Sequence, residues 1–231
     1  MKKVLGFALC GLVIFSGCST MSKTGKGALW GTGAGLAAGA GIGALIGGER
    51  GAMIGAAIGT AVGAGTGAVI GDVMDKKAKD LTKKLRNATV ELVKDANGLD
   101  AIKVTFDSGI LFATGKSNLS DAAKTSLKDF TEDIADLPNT NLTVWGHTDN
   151  TGTAAANEKV SLQRAESVSA YLQECGISAN RITAEGKSFN LPVADNKTEA
   201  GRAQNRRVEL YVSADKNMVR AVENSLEKQA K

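Results

Sequence analysis

The chain predicts an α/β fold, an α+β sandwich in which a mixed sheet carries its helices on one side, preceded by a glycine-zipper helical hairpin. Two patterns lead there. Between residues 89 and 214, short runs that alternate polar and apolar residues take turns with longer runs of helical spacing, and such alternation packs as helices against a sheet. Between residues 27 and 71, glycine recurs at every fourth position without a miss. Average composition hides this division, because 17 of the 28 glycines lie between Gly25 and Gly71. At 231 residues there is room for one ordinary domain with appendages.

The elements follow in order. Lys2 and Lys3 form a positive start, and Val4 to Phe15 is apolar but too short to cross a bilayer. Residues 1–17 therefore read as a signal peptide. It ends in FSGC, which resembles a lipobox, the signal for cleavage before a cysteine that becomes lipidated; Cys18 is that residue, and 18–26 a lipidated linker. Phe15 departs from the usual leucine, and the alternative is an ordinary secretory signal with an incidental cysteine. Ser19 in place of aspartate favours the outer membrane, by resemblance to bacterial lipoproteins. Cys10 leaves with the leader, so Cys175 has no partner for an intramolecular disulfide. It precedes Gly176 at a helix end with no candidate base around it, which suits a structural role.

Residues 27–71 hold the glycine ladder. Glu49 and Arg50 divide it into two uncharged runs, Gly27 to Gly48 and Gly51 to Gly71. As a helix at ~1.5 Å per residue, each run is ~30 Å long, the thickness of a hydrocarbon core. In water, glycine costs a helix ~1 kcal/mol per residue relative to alanine. In lipid, unpaired amides cost more, and glycine at every fourth position lets helix backbones approach closely. The segment resembles the glycine-zipper hairpins of outer-membrane lipoproteins. A flexible linker, the other reading, would carry polar residues and no strict period. Spacing leaves open whether the hairpin crosses the membrane or bundles with other copies beneath it. Residues 72–88 predict a polar, solvated connecting helix whose lysines face water or lipid headgroups.

The domain proper spans 89–214. Thr89 to Val93 and Ala101 to Phe106 flank the turn-prone DANG as a hairpin, with Ile110 to Phe112 continuing the second strand. Leu119 to Leu137 has helical spacing and stops at Pro138. Leu142 to Trp145 reads as a buried strand, Ala154 to Glu174 as a helix, and Arg181 to Glu185 and Arg207 to Val212 as the last strands. Residues 215–231 form a tail ending in a loose helix.

Within this frame, HTDNTG spans His147 to Gly152; Asn157 follows Asp149 by eight residues and Arg164 by fifteen, and NRRVEL closes the set at Asn205 to Leu210. The ordered set resembles the peptidoglycan-binding domain of the OmpA C-terminal family, over roughly Gly98 to Ser213. Asn157 and Arg164 share a helix side, ~10 Å apart along the axis. Leu162, Ala165, Val168 and Leu172 mark an apolar stripe that faces the sheet. One carboxylate and one guanidinium across a small cleft form a receptor for a zwitterion such as the free end of meso-diaminopimelate. Asp149 takes the ammonium, and Arg164 holds the carboxylate by a two-point contact that lysine cannot copy. The resemblance further implies ligand contacts from Thr151, Asn157 and Arg206. The plainer alternative is a structural salt bridge between Asp149 and Arg164. Arg206 and Arg207 alternate sides of a strand, so at most one meets the ligand and the other pairs with an acid. Ala113 and Gly115 depart from the Asp and Asn that related domains often carry, leaving backbone contacts on that side. His147, the only histidine, takes a structural role.

These expectations describe an outer-membrane lipoprotein, its domain in the periplasm, that tethers the membrane non-covalently to peptidoglycan through the diaminopimelate of stem peptides. Its partners are peptidoglycan, outer-membrane lipid and, through the zipper, other copies of itself; no cofactor or metal is implied. Without Lys2 and Lys3, 26 basic side chains face 24 acidic ones, too even a balance for a nucleic-acid footprint. The sequence has no Cys/His cluster, G-x-S-x-G or P-loop lysine, so an enzyme is disfavoured. The alternative is a zipper oligomer or pore-like assembly that the OmpA-like domain only fixes to the wall. A flagellar stator would need an acid embedded in a longer span, and Asp72 follows the ladder.

Overall fold

The computed structural model describes residues 62–113 and 116–230. The leader, Cys18, the ladder up to residue 61 and Gly115 lie outside the described residues. The elements are α1 (Ala64–Lys84), β1 (Ala88–Lys94), β2 (Asp100–Asp107), α2 (Ser108–Leu111), α3 (Asp121–Ile134), β3 (Thr140–Gly146), α4 (Ala154–Glu174), β4 (Ile182–Gly186), α5 (Glu199–Asn205), β5 (Arg207–Ala214) and α6 (Lys216–Gln229). The sheet runs β1-β2-β5-β3-β4, with only the β3–β4 pair parallel. The parallel pair needs a crossover, and α4 supplies it.

The mixed sheet agrees with expectation, and so does the placing of the long helices. One core joins Val104, Phe106, Val144, Val208 and Leu210 of the sheet to Phe130 of α3 and Val168 of α4. The first hairpin turns at the expected DANG. Asp95 Oδ1 accepts from the amides of Asn97 and Leu99, and Gly98 takes φ +73°, a conformation that suits glycine. The expected helix stop at Gly176 is likewise a left-handed residue, φ +101°.

Three expectations change. First, the solvated connecting helix is part of the core. Helix α1 begins inside the ladder at Ala64, and Thr66, Ile70, Met74, Ala78, Leu81 and Leu85 form a buried row. Two of its lysines bind the domain, while Lys76, Lys79 and Lys83 stay exposed: Lys77 Nζ donates to Asp133 O at 2.7 Å and Lys84 Nζ to Asp133 Oδ1 at 2.5 Å. Second, Ile110 does not prolong a strand. The carboxylate of Asp107 accepts from Gly109 N and caps the short α2 instead, leaving Phe112 only a bridge to Leu119. Third, Leu162 is 38% exposed, and Ser161 takes its place on the stripe of α4 beside Ala165, Val168 and Leu172. The tail is the regular helix α6, capped by Asp215, whose Oδ1 accepts from Asn217 N and Met218 N.

Candidate functional site

Two glycines bring α4 against the sheet ends. A Cβ at Gly146 would lie 2.0 Å from Ser161 O, and one at Gly186 2.7 Å from Leu162 N. Both strands therefore end in glycine where the helix passes. Ser161 Oγ then accepts from Ser188 N at 3.1 Å and donates to Glu158 O. This contact fixes the height of α4, one turn before and one turn after which stand Asn157 and Arg164.

The loop after β3 carries the acid. His147 N donates to Arg207 O and Thr148 N to Ser188 O, both at 2.9 Å. Asp149 Oδ1 accepts from Thr151 N at 2.8 Å, and Asn157 Nδ2 donates to Thr151 O at 3.0 Å. Asn157 thus braces the Asp149 loop from the helix, while the Thr151 side is exposed. Thr153 Oγ1 accepts from Ala156 N and starts α4.

Asp149 does not pair with Arg164. Its close partner is Arg206, whose Nη1 donates to Oδ2 at 2.7 Å while Nη2 donates to Glu199 Oε1 at 2.9 Å. Arg164 is buried, 6% exposed, with its guanidinium carbon 5.2 Å from the centroid of the Phe112 ring. Its Nε donates to Lys116 O at 3.3 Å. Among the described residues, no carboxylate lies within 4.0 Å of it. Burial, then the Arg206 charge, pull its pKa down, and Asp149 works the other way. Burial pushes the Asp149 carboxyl up, but hydrogen bonds from Arg206 and Thr151 outweigh this and hold it below the usual range. The site therefore holds an ionised carboxylate already shared with one arginine, near a second arginine whose terminal nitrogens have no partner among the described residues.

Arg207 pairs with an acid too, so both arginines of the NRRVEL run are in ion pairs. Arg207 Nε donates to Glu209 Oε1 at 2.8 Å, and Tyr211 Oη donates to Glu209 Oε2 at 2.6 Å, all buried on the side of β5 opposite Val208 and Leu210. Burial opposes the Glu209 charge, but His147, Arg207 and Tyr211 overcome it and hold its pKa far down. Burial also lowers the pKa of His147, against the pull of Glu209, whose Oε2 lies 3.3 Å from its Nε2. It packs edge-on to Trp145 behind the Asp149 loop, in keeping with a structural role. Ala113 is exposed.

The sequence pattern gave Glu199 no part in the site, and Asn205 none beyond opening NRRVEL. Asn205 is fully buried; its Oδ1 accepts from Val193 N and Ala194 N, and its Nδ2 donates to Asn196 Oδ1. Asn196 Oδ1 also accepts from Asn150 N at 3.4 Å, so the two loops of the site are tied together. The Asn before two arginines was a signal. Among the described residues, no cluster of His, Cys, Asp and Glu could hold a metal.

The chain is similar to known proteins along both of its parts. The OmpA family model matches residues 111–206, and the YMGG-like Gly-zipper matches residues 1–75. Outer membrane protein Omp38 of Acinetobacter baumannii is 40% identical over 48% of this chain and 31% of its own length. Probable lipoprotein YiaD of Escherichia coli is 35% identical over 62% of this chain and 64% of its own. The chain thus spans less than two thirds of these relatives. The solved cell wall anchor of the T6SS from Pseudomonas aeruginosa is 32% identical, covering 62% of this chain and 97% of that one, with a TM-score of 0.52.

Proposed function

With residues 111–206 an OmpA-family domain, we propose that this protein is an outer-membrane lipoprotein that tethers the membrane non-covalently to peptidoglycan. The ligand is the free end of meso-diaminopimelate in a stem peptide. Asp149 accepts its ammonium, Arg164 takes its carboxylate, and Thr151, Asn157 and Arg206 complete the contacts. The observation that carries this reading is Arg164, a buried guanidinium with no carboxylate within 4.0 Å among the described residues. A buried cation is costly without a counter-ion, and a ligand carboxylate supplies one. Arg206 keeps Asp149 ionised and oriented while leaving lone pairs for an ammonium. A cell wall anchor among the structural relatives supports the wall as partner, and a lipoprotein among the sequence relatives supports lipidation at Cys18.

Titration of the 62–231 fragment with free meso-diaminopimelate tests the site. Asp149→Ala and Arg164→Ala should each cost ~2–5 kcal/mol of binding, because each leaves a charge unpaired in a desolvated pocket. Unchanged affinity in both variants would remove the assignment. Mass spectrometry of the mature N-terminus tests the anchor, which requires a lipidated peptide beginning at Cys18.

A further inference from the structure

Helix α1 takes residues that a membrane hairpin would need. The second ladder run ends at Gly71, yet Thr66 and Ile70 are already buried in the domain, 3% and 0% exposed. Two of the ladder glycines, Gly67 and Gly71, and Gly65 between rungs also lie against the domain. A Cβ at Gly71 would lie 2.7 Å from Asp100 Oδ2, one at Gly67 3.8 Å from Leu99 Cδ2, and one at Gly65 3.3 Å from Leu226 Cδ1 of α6. Val62 already packs against the core cluster. The buried row of α1 is its seat on its own domain, and Thr66, Ile70 and Met74 cannot also face lipid or a second ladder helix.

Chain length then decides the topology. From Gly51 to Val62 there are 12 residues, which as a helix reach ~18 Å, well short of the ~30 Å of a hydrocarbon core. An extended crossing would leave backbone amides unpaired in lipid. Among the described residues, no helix is long and apolar enough to cross a membrane. A lipid anchor at Cys18 and a wall-binding domain lie on the same side of the outer membrane, so any crossings between them must be even in number. The return crossing has too few residues, so the outward one is excluded as well. We infer that the glycine ladder does not traverse the outer membrane, and that Glu49 and Arg50 stay on the wall side with the domain. The inference rests on the proposed function for its two fixed ends.

The test is a membrane-impermeant maleimide applied to cells carrying the full chain with Glu49→Cys or Arg50→Cys in a Cys175→Ser background. Labelling only after the outer membrane is permeabilised is the expected result. Labelling in intact cells, or protection until detergent is added, overturns the inference. Failure of the underlying reading looks different: acylation at Cys18 or retention on murein is lost in the parent protein, whatever the labelling. An independent arm is Ile70→Ala in the 62–231 fragment, at a fully buried position of α1. A lowered unfolding temperature is expected, whereas an unchanged one would mean that α1 is free to leave the domain, which also overturns the inference.

Discussion

Helices α1 and α4 are each 21 residues long and lie against the same core, yet they achieve close packing in opposite ways. In α1 the glycines are on the helix, and Asp100 and Leu99 of the hairpin end press against them. In α4 the glycines are on the strands, Gly146 and Gly186, and the helix keeps its side chains. That difference leaves α4 able to carry Asn157 and Arg164 at the sheet ends, whereas α1 offers only apolar fill and lysine ties to α3. Close approach serves stability in one helix and the geometry of the proposed site in the other.

The contrast breaks most visibly at Gly146. Gly146→Val places carbon where Ser161 O lies 2.0 Å from an ideal Cβ, so α4 must move; overpacking of this kind costs ~1–3 kcal/mol or more. Binding of diaminopimelate should fall with stability, as read by titration alongside thermal unfolding. Met74→Ala in α1, at a fully buried position, should cost a similar or larger ~2–5 kcal/mol. Here the protein that remains folded should keep its affinity. Loss of affinity in folded Met74→Ala would end the separation between the two helices.

Arg164→Lys sharpens the site half. Lysine keeps the charge but loses the planar fork, so affinity should drop about tenfold or more while unfolding is little changed. Glu199→Gln tests a smaller contribution. With Glu199 gone, Arg206 turns wholly to Asp149 and competes with the ligand ammonium, and affinity should fall about twofold, as suits an exposed partner. In an Arg206→Ala background the same change should have no effect.

Acid should separate stability from binding. His147 has a lowered pKa, so as pH falls below its ordinary ~6.5 the unfolded chain takes up a proton first. Stability should decline there, and His147→Gln should flatten that slope in denaturant titrations across pH. The Asp149 carboxyl is depressed, so its charge, and with it binding, persists at that pH and is lost only as pH falls through a value below ~3.9.

Much of α4 was legible because its boundaries are chemical: Thr153 caps it and Gly176 ends it, and the helix runs Ala154–Glu174 as the periodicity says. Asp149 and Arg164 were legible as a motif, but their mutual geometry was not, since the partner of Asp149 comes from Arg206, 57 residues away. Leu162 misled because hydrophobicity outweighs fit in a pattern, and the tight space beside Gly146 and Gly186 is filled by Ser161 instead. Helix α1 was divided at residue 71 because composition changes there from glycine-rich to lysine-rich. Its buried row crosses that boundary at four-residue steps, with Thr66 and Ala78 too weakly apolar to advertise it. Glu199 acts across α5 on a residue seven positions on, and no spacing rule singles it out.

The most direct measurement of the wall-binding claim is co-sedimentation of the 62–231 fragment with purified diaminopimelate-type sacculi. The fragment begins at residue 62 because one starting at 89 would lose α1 and uncover Ile70, Met74 and Leu81 contacts in the core. The account predicts that the parent fragment pellets with murein, while Asp149→Ala and Arg164→Ala stay in the supernatant with unchanged circular dichroism. Equal pelleting of all three, with their folds intact, would contradict it.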